Sequence, residues 1–457
     1  MDLTKKPASA GRDSRRDFIR KAATAAAAVA STNLFKTPVY GQATAPSAGV
    51  AGANGRLTLG FVGVGGQGLN AHVSLCKKFA QENNIALAAV CDVSKTRVEE
   101  AKKVIGGDCA GFDDYRKLLE RKDIDVVVCA TVDHWHARVT LDALNAGKHV
   151  YCEKPMTRYL GEAFEVQDTV KKTGKILQVG SQGTSDLKWH KAAQWIREGK
   201  IGKVVMSQGS YMRNNPKGEW NYTIQPWCTA DDVNWKMWHG DQIKTRKEFS
   251  ADDYFRWRKY FPYCAGLLGD LMPHKLHPYM LATGNLEFPL RVSCVGTRSI
   301  ETDKNTPETP PRDCPEIIQL VAEFPSGMVM HIASSSVNEF GTQEAIRGNK
   351  ANLLMAGSKV ELRPERLYTD DIDPETSEAF PAETIEAHHK NFFDSIRANK
   401  QPNCGIDLSI RVQTVVSLAE MSQRLSAMCC FDEKTRKITT AEGKEVPAIT
   451  YGTLPLS

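Results

Sequence analysis

Two short stretches of this chain carry side chains suited to moving a proton or holding a substrate oxygen. Glu153-Lys154-Pro155 places a lysine beside a ring that stiffens its loop, and Gly269-Asp270-Leu271-Met272-Pro273-His274 pairs an acid with an imidazole. A fixed lysine can donate to a carbinol oxygen or exchange a proton with it. An acid beside an imidazole supports general acid–base work near neutrality. The plainer reading of Lys154 is a solvated surface charge, and that of Asp270 with His274 is a buried pair holding two domains together. Asp270 and His274 are four residues apart and would share one face of a continuous helix. Pro273 is a natural first helical residue, however, and a helix beginning there keeps the two near without that geometry. His277 extends the pattern to Asp-x-x-x-His-x-x-His and is expected on the substrate side. The spacing is compatible with a metal, but no further ligands cluster with it, and none is expected.

The cofactor for such chemistry is indicated upstream. Gly63-Val64-Gly65-Gly66-Gln67-Gly68 follows the apolar strand Leu57–Val62 and opens a helix-like segment. In that context Gly63 allows the tight turn, Gly65 lets the backbone approach a pyrophosphate, and Gly68 lets helix and strand pack closely. A packing turn can look the same, but a second strand ends at Asp92, where an acid can bind both ribose hydroxyls. Asp92 favours NAD over NADP, since its carboxylate repels a 2′-phosphate, although Ser94, Lys95 and Arg97 could accommodate one. Thr131 and His134 follow the next buried strand and are expected to line the same cofactor site.

These residues need a scaffold that gathers strand ends. Apolar strands at Ile85–Cys91, Ile124–Ala130, His149–Cys152 and Ile176–Val179 alternate with helical patterns at Leu69–Gln81, Ser94–Val104, Tyr115–Glu120, His136–Ala146 and Gly161–Thr173. Continuous apolar strands between helices argue for a parallel, doubly wound Rossmann sheet over residues 56–182, with ligands at the C-terminal strand ends. Past Ser181 the pattern changes. Long β-branched or alternating runs at Val204–Met212, Arg291–Ile300, Ile317–Phe324, Met328–Val337 and Lys359–Leu362 predict an open, mainly antiparallel sheet. Helices at Glu383–Ala398 and Asp407–Ser426 complete a second, α/β domain over 183–430, leaving 431–457 as a tail.

With its motifs in this order, the chain resembles the Gfo/Idh/MocA oxidoreductases over roughly residues 57–425. The resemblance implies Lys154, Asp270 and His274 around the reacting carbinol, His274 as proton acceptor, and Glu153 helping to place the cofactor ribose. It also implies NAD or NADP, a sugar or polyol substrate, and a homo-oligomer, dimer or tetramer, formed through the open sheet, and it assigns substrate binding and oligomerisation to the domain over 183–430. An exported enzyme would need that cofactor tightly held. Asn234–Asp241 and Tyr254–Arg258 look like the corresponding region of exported members. Clustered Trp, Tyr and Arg there suit sugars, and Arg258 is the substrate-side candidate, though Trp235, Trp238 and Trp257 read equally well as core. Two rival functions remain. One is a redox-assisted glycosidase, whose family members often lack the lysine that Lys154 provides. The other is a nucleotide-retaining protein without catalysis.

The remaining signals concern compartment and partners. Ser14-Arg15-Arg16-Asp17-Phe18-Ile19-Arg20-Lys21 and the apolar run Ala22–Ala30 read as a twin-arginine export leader within residues 1–45, which places the protein in the periplasm or outside the cell. Export in the folded state would carry the cofactor along. The net charge of +5 over 457 residues owes much to this leader and points to neither nucleic acid nor membrane partners. No later stretch is long and apolar enough for stable membrane insertion. Twelve cysteines without a Cys-x-x-Cys pair do not look like a disulfide framework, although one or two bridges are open among Cys228, Cys264, Cys314, Cys404, Cys429 and Cys430.

Overall fold

The computed structural model describes residues 55–284, 286–447 and 449, so the leader expected within residues 1–45 lies outside the described residues. The first sheet contains β1 (Leu57–Val62), β2 (Ile85–Cys91), β3 (Ala110–Phe112), β4 (Val126–Cys129), β5 (His149–Glu153) and β6 (Leu177–Gly180). All pairings are parallel and the order is β3-β2-β1-β4-β5-β6, the doubly wound arrangement with its switch between β1 and β4. The strands read as apolar runs because helices cover both faces. Val126, Val127, Val128 and Cys129 are all buried. β3 was not expected; it is only three residues long and carries no period of its own.

The second sheet comprises β7 (Val204–Asn214), β8 (Arg291–Thr297), β9 (Ile317–Glu323), β10 (Val329–Ser335), β11 (Val337–Asn338), β12 (Ala345–Gly348), β13 (Ala351–Ala356), β14 (Lys359–Pro364), β15 (Glu375–Thr376), β16 (Cys429–Asp432) and β17 (Lys437–Thr440). Its order is β15-β14-β13-β12-β7-β10-β9-β8-β16-β17, with β11 on β7, and only β7–β10 pairs in parallel. The fold is therefore α/β, a Rossmann sheet followed by a mixed, mainly antiparallel one. Residues 431–440, expected in a tail, instead extend the sheet edge: Phe431 pairs with Ile438, and both are buried.

Two late helices tie the halves together. Ile406–Leu425 lies under the second sheet, where Ser422 Oγ accepts from Cys294 N at 2.9 Å. Ile385–Ala398 returns to the first sheet: Phe392 and Phe393 join the buried cluster around Tyr151. All twelve cysteines are free thiols and eleven of them are buried, so none of the bridges left open by the sequence forms among the described residues.

Candidate active site

The glycine loop after β1 is built to bring backbone close to a ligand. Gly63 has φ +82°, and a Cβ there would lie 2.6 Å from the Ala130 backbone. At Gly68 a Cβ would sit 2.0 Å from Gly63 O, so helix and strand pack with no room for a side chain. A Cβ on Gly66 would meet nothing within 4 Å, because the loop faces an open cleft of about 730 Å³. Asp92 closes the loop from below, its Oδ2 accepting from Val64 N and its Oδ1 from Ser94 N, at 2.9 and 3.0 Å. A carboxylate has about four acceptor positions, so two remain for ribose hydroxyls. Glycine loop, acid and cleft thus fit a nicotinamide dinucleotide.

The cleft runs from Asp92 past Thr131 to Glu153, Lys154, Arg258, Asp270 and His274. Lys154 Nζ donates to Asp270 Oδ1 at 2.6 Å and to Asp270 O at 2.8 Å. Arg258 Nε donates to the same Oδ1 at 2.9 Å, and Trp220 Nε1 donates to Oδ2 at 3.1 Å. Burial alone would raise the Asp270 pKa, but Lys154 and then Arg258 hold it far below the usual carboxylate range. Burial would also discharge Lys154, yet the Asp270 charge overcomes it and keeps the ammonium pKa above its ordinary value. His274 behaves oppositely: burial, then the Lys154 charge, push its pKa down to about 3, leaving a neutral imidazole. Its ring lies beside Tyr211, with centroids 5.6 Å apart.

Glu153 lies at the cleft with both oxygens engaged. Oε1 meets Gln67 Nε2 at 3.2 Å and His72 Nε2 at 2.9 Å, and Oε2 accepts from Lys154 N at 3.1 Å. Burial opposes ionisation here as well, but His72, Lys154 and Gln67 bring the pKa down to about 2.

Two expected site residues lie elsewhere. His134 was assigned to the cofactor; the helix starts at Asp133, one residue before it, and turns the ring into the core. There it meets Trp238 O at 3.0 Å and packs against Trp238 and Tyr263, away from the cleft. His277 was assigned to substrate, but it is buried one turn into the helix Pro273–Thr283, its Nδ1 at 2.9 Å from Pro273 O. The short helix Leu267–Asp270 ends before Pro273, so Asp270 and His274 do not share one helical face, as Pro273 foreshadowed. The tryptophans prove to be both wall and core. Trp238 and Trp257 are buried in an aromatic cluster whose edge lines the cleft, and Trp235 stacks on Trp238 at 4.6 Å.

The sequence reading missed Trp220. It has φ +66°, rare for a bulky residue, and that backbone turns its indole onto Asp270. It missed Arg213 too, which lines the cleft and whose Nη1 pairs with Glu219 Oε1 at 2.5 Å. No motif announces either residue, since both depend on contacts distant in sequence.

Comparison with known proteins places this geometry. Residues 57–181 match the model of the oxidoreductase family with an NAD-binding Rossmann fold, GFO_IDH_MocA. Over that stretch the chain is similar to the Gfo/Idh/MocA oxidoreductases. The Gfo/Idh/MocA match includes the glycine loop, Asp92, Glu153 and Lys154, whereas Arg258, Asp270 and His274 lie beyond it. An alpha-N-acetylgalactosaminidase of Shewanella oneidensis is 26% identical over 257 residues, covering 50% of this chain and 53% of that one. An inositol 2-dehydrogenase of Salmonella paratyphi B is 26% identical over 240 residues, covering 52% and 68%. The chain spans about half the length of the glycosidase relatives it matches. In overall fold it is similar to a levoglucosan dehydrogenase solved with NADH and levoglucosan, at TM-score 0.62 and 18% identity, covering 86% of this chain and 100% of that one.

Proposed function

We propose that the protein is a nicotinamide-dependent oxidoreductase acting on a secondary alcohol of a sugar or polyol, with NAD favoured over NADP by Asp92. The carrying observation is the state of Lys154: an ammonium has three N–H donors, and Asp270 takes two of them. The third is left for a carbinol oxygen. Asp270 keeps Lys154 charged and oriented, and Arg258 and Trp220 keep Asp270 in place. His274, held neutral, takes the carbinol proton during oxidation and returns it during reduction. A bound nicotinamide would supply the hydride acceptor at its C4. The dehydrogenase names of the inositol and levoglucosan relatives support the alcohol substrate.

In this reading the cofactor is tightly held, and the leader takes the loaded enzyme to sugars outside the cytoplasm. The exposed valines of the second sheet, Val205, Val295 and Val321, support assembly of copies through that sheet. The test is mass spectrometry of nucleotide released on denaturing the purified protein, together with nicotinamide reduction across a panel of aldoses and inositols. Released NAD and polyol-dependent absorbance at 340 nm are expected; no nucleotide and no turnover would overturn the proposal. The glycosidase relatives favour one alternative, in which transient oxidation of a glycoside ends in loss of its aglycone. Release of nitrophenol from nitrophenyl glycosides without net NADH would select it.

A further inference from the structure

A second cavity, of about 340 Å³, opens on the other side of His274 and Tyr211, which line both it and the main cleft together with Gln182. Dinucleotide and reacting ring must share the main cleft, which runs from Asp92 to His274. A substituent pointing past His274 therefore has the second cavity as its space. Both volumes lie within the ~300–1,000 Å³ usual for small-molecule sites.

The walls of this second cavity have their own chemistry. Trp189, Phe380 and Pro278 offer apolar surface, while Asp186, Glu383 and Lys188 offer acceptors and donors. Lys275 and Glu344 pair with each other at the rim, and Lys188 pairs with Asp186 at 3.5 Å. Apolar faces beside fixed hydrogen-bonding groups match a pyranose ring, which has C–H faces and hydroxyl edges. The carboxylates outnumber the lysines, Asp186, Glu344 and Glu383 against Lys188 and Lys275, so an anionic group would be repelled.

We infer that this cavity is a subsite for a second, uncharged sugar ring, and that the enzyme acts on disaccharides or glycosides rather than on free monosaccharides. The inference rests on the sugar oxidoreductase reading and adds the size of the substrate to it. Phe380 and Glu383 belong to the segment before the helix Ile385–Ala398 and touch none of the groups at Lys154 and Asp270, so they serve specificity alone.

The test compares matched sugars, glucose with maltose and cellobiose and galactose with lactose, on the nucleotide-loaded protein. Nicotinamide reduction and calorimetric binding are both measured, for wild type and for the F380A and E383Q variants. At least one disaccharide is expected to exceed its monosaccharide about tenfold in kcat/KM or in affinity. Both variants should erase that preference while leaving the monosaccharide values within about twofold. If no sugar is oxidised, the oxidoreductase reading fails, yet variant-sensitive disaccharide binding still supports the subsite. Equal handling of monosaccharides and disaccharides, or equal losses for both in the variants, overturns it.

Discussion

Replacing Asp270 by asparagine tests the electrostatic core of the site. The side chain keeps its shape, but Lys154 and Arg258 lose the counter-charge that both contact through Oδ1, at 2.6 and 2.9 Å. All three side chains are largely buried. Removing one partner of a buried charged group typically costs about 3–5 kcal/mol, because the remaining charge is left uncompensated. We expect D270N to be destabilised by about that amount in urea unfolding at pH 7. The influences left on Lys154 are burial and Arg258, which lower its pKa, against Glu153, which raises it. Its ammonium should therefore deprotonate below the ordinary value of 10.5 instead of above it. In the wild type, the stability from a raised lysine pKa is present below pH 10.5 and lost as pH rises through the folded value. In D270N that contribution disappears, and the alkaline limb of kcat/KM moves to lower pH. The assay is a pair of pH series, unfolding and nicotinamide reduction, on wild type and D270N. A stability change under about 0.5 kcal/mol together with an unmoved alkaline limb would refute the locked Lys154–Asp270–Arg258 cluster.

Four further outcomes follow from the structure. H274Q should lower kcat by about 10²–10⁴-fold, as expected for loss of a general base. Wild-type kcat/KM should show no inflection near pH 6.5, because His274 titrates at about 3; an inflection there that H274Q abolishes would contradict its assignment. His134, His149, His277 and His388 are likewise depressed by burial, to about 3, 4, 4 and 4. Groups with lowered folded pKa values give stability that is complete above about 6.5 and lost as pH falls towards 4, by up to about 1.4 kcal/mol per pH unit each. Unfolding free energies measured from pH 7 to 5 should fall by several kcal/mol. Finally, Glu420 accepts Arg158 Nη1 and Nη2 at 2.6 and 2.7 Å in the core, and E420Q should cost about 3–5 kcal/mol in the same unfolding assay.

Much of the fold could be read from the sequence because its signals are local. The valine run of β4, the apolar centre of β5 and the glycine loop after β1 carry their own period and turn chemistry, and Lys154, Asp270 and His274 do come together across 116 and more residues. What escaped was set by long-range pairing. β12 has the unremarkable sequence Ala-Ile-Arg-Gly and is a strand because β7 and β13 flank it. β17 looked like a tail because its partner, β16, is itself an edge extension of β8. His134 and His277 were misplaced for a related reason. Residue type marks a histidine as available for chemistry, but the start of its helix decides which way the ring turns. The helix expected from His136 begins three residues earlier, at Asp133, and sends His134 to the Trp238 cluster.

The same long-range contacts explain why so many charges converge on one neutral ring. Glu153 joins the glycine loop, through Gln67, to the Lys154 backbone, so the cofactor loop and the acid–base end share one anchor at the end of β5. Lys154 is tied in turn to Asp270, and Asp270 to Arg258 and Trp220. The ions in this chain of contacts are held by fixed partners: Lys154 and Arg258 share Asp270, and Glu153 is held by Gln67, His72 and the Lys154 backbone N–H. Among the described residues, His274 makes no side-chain hydrogen bond to the protein, while it borders both cavities. An ionised substrate oxygen arriving beside Lys154 would offset the cation that now depresses His274 and raise its basicity. The base would then strengthen only when substrate is in place, and the fixed charges around it set that condition.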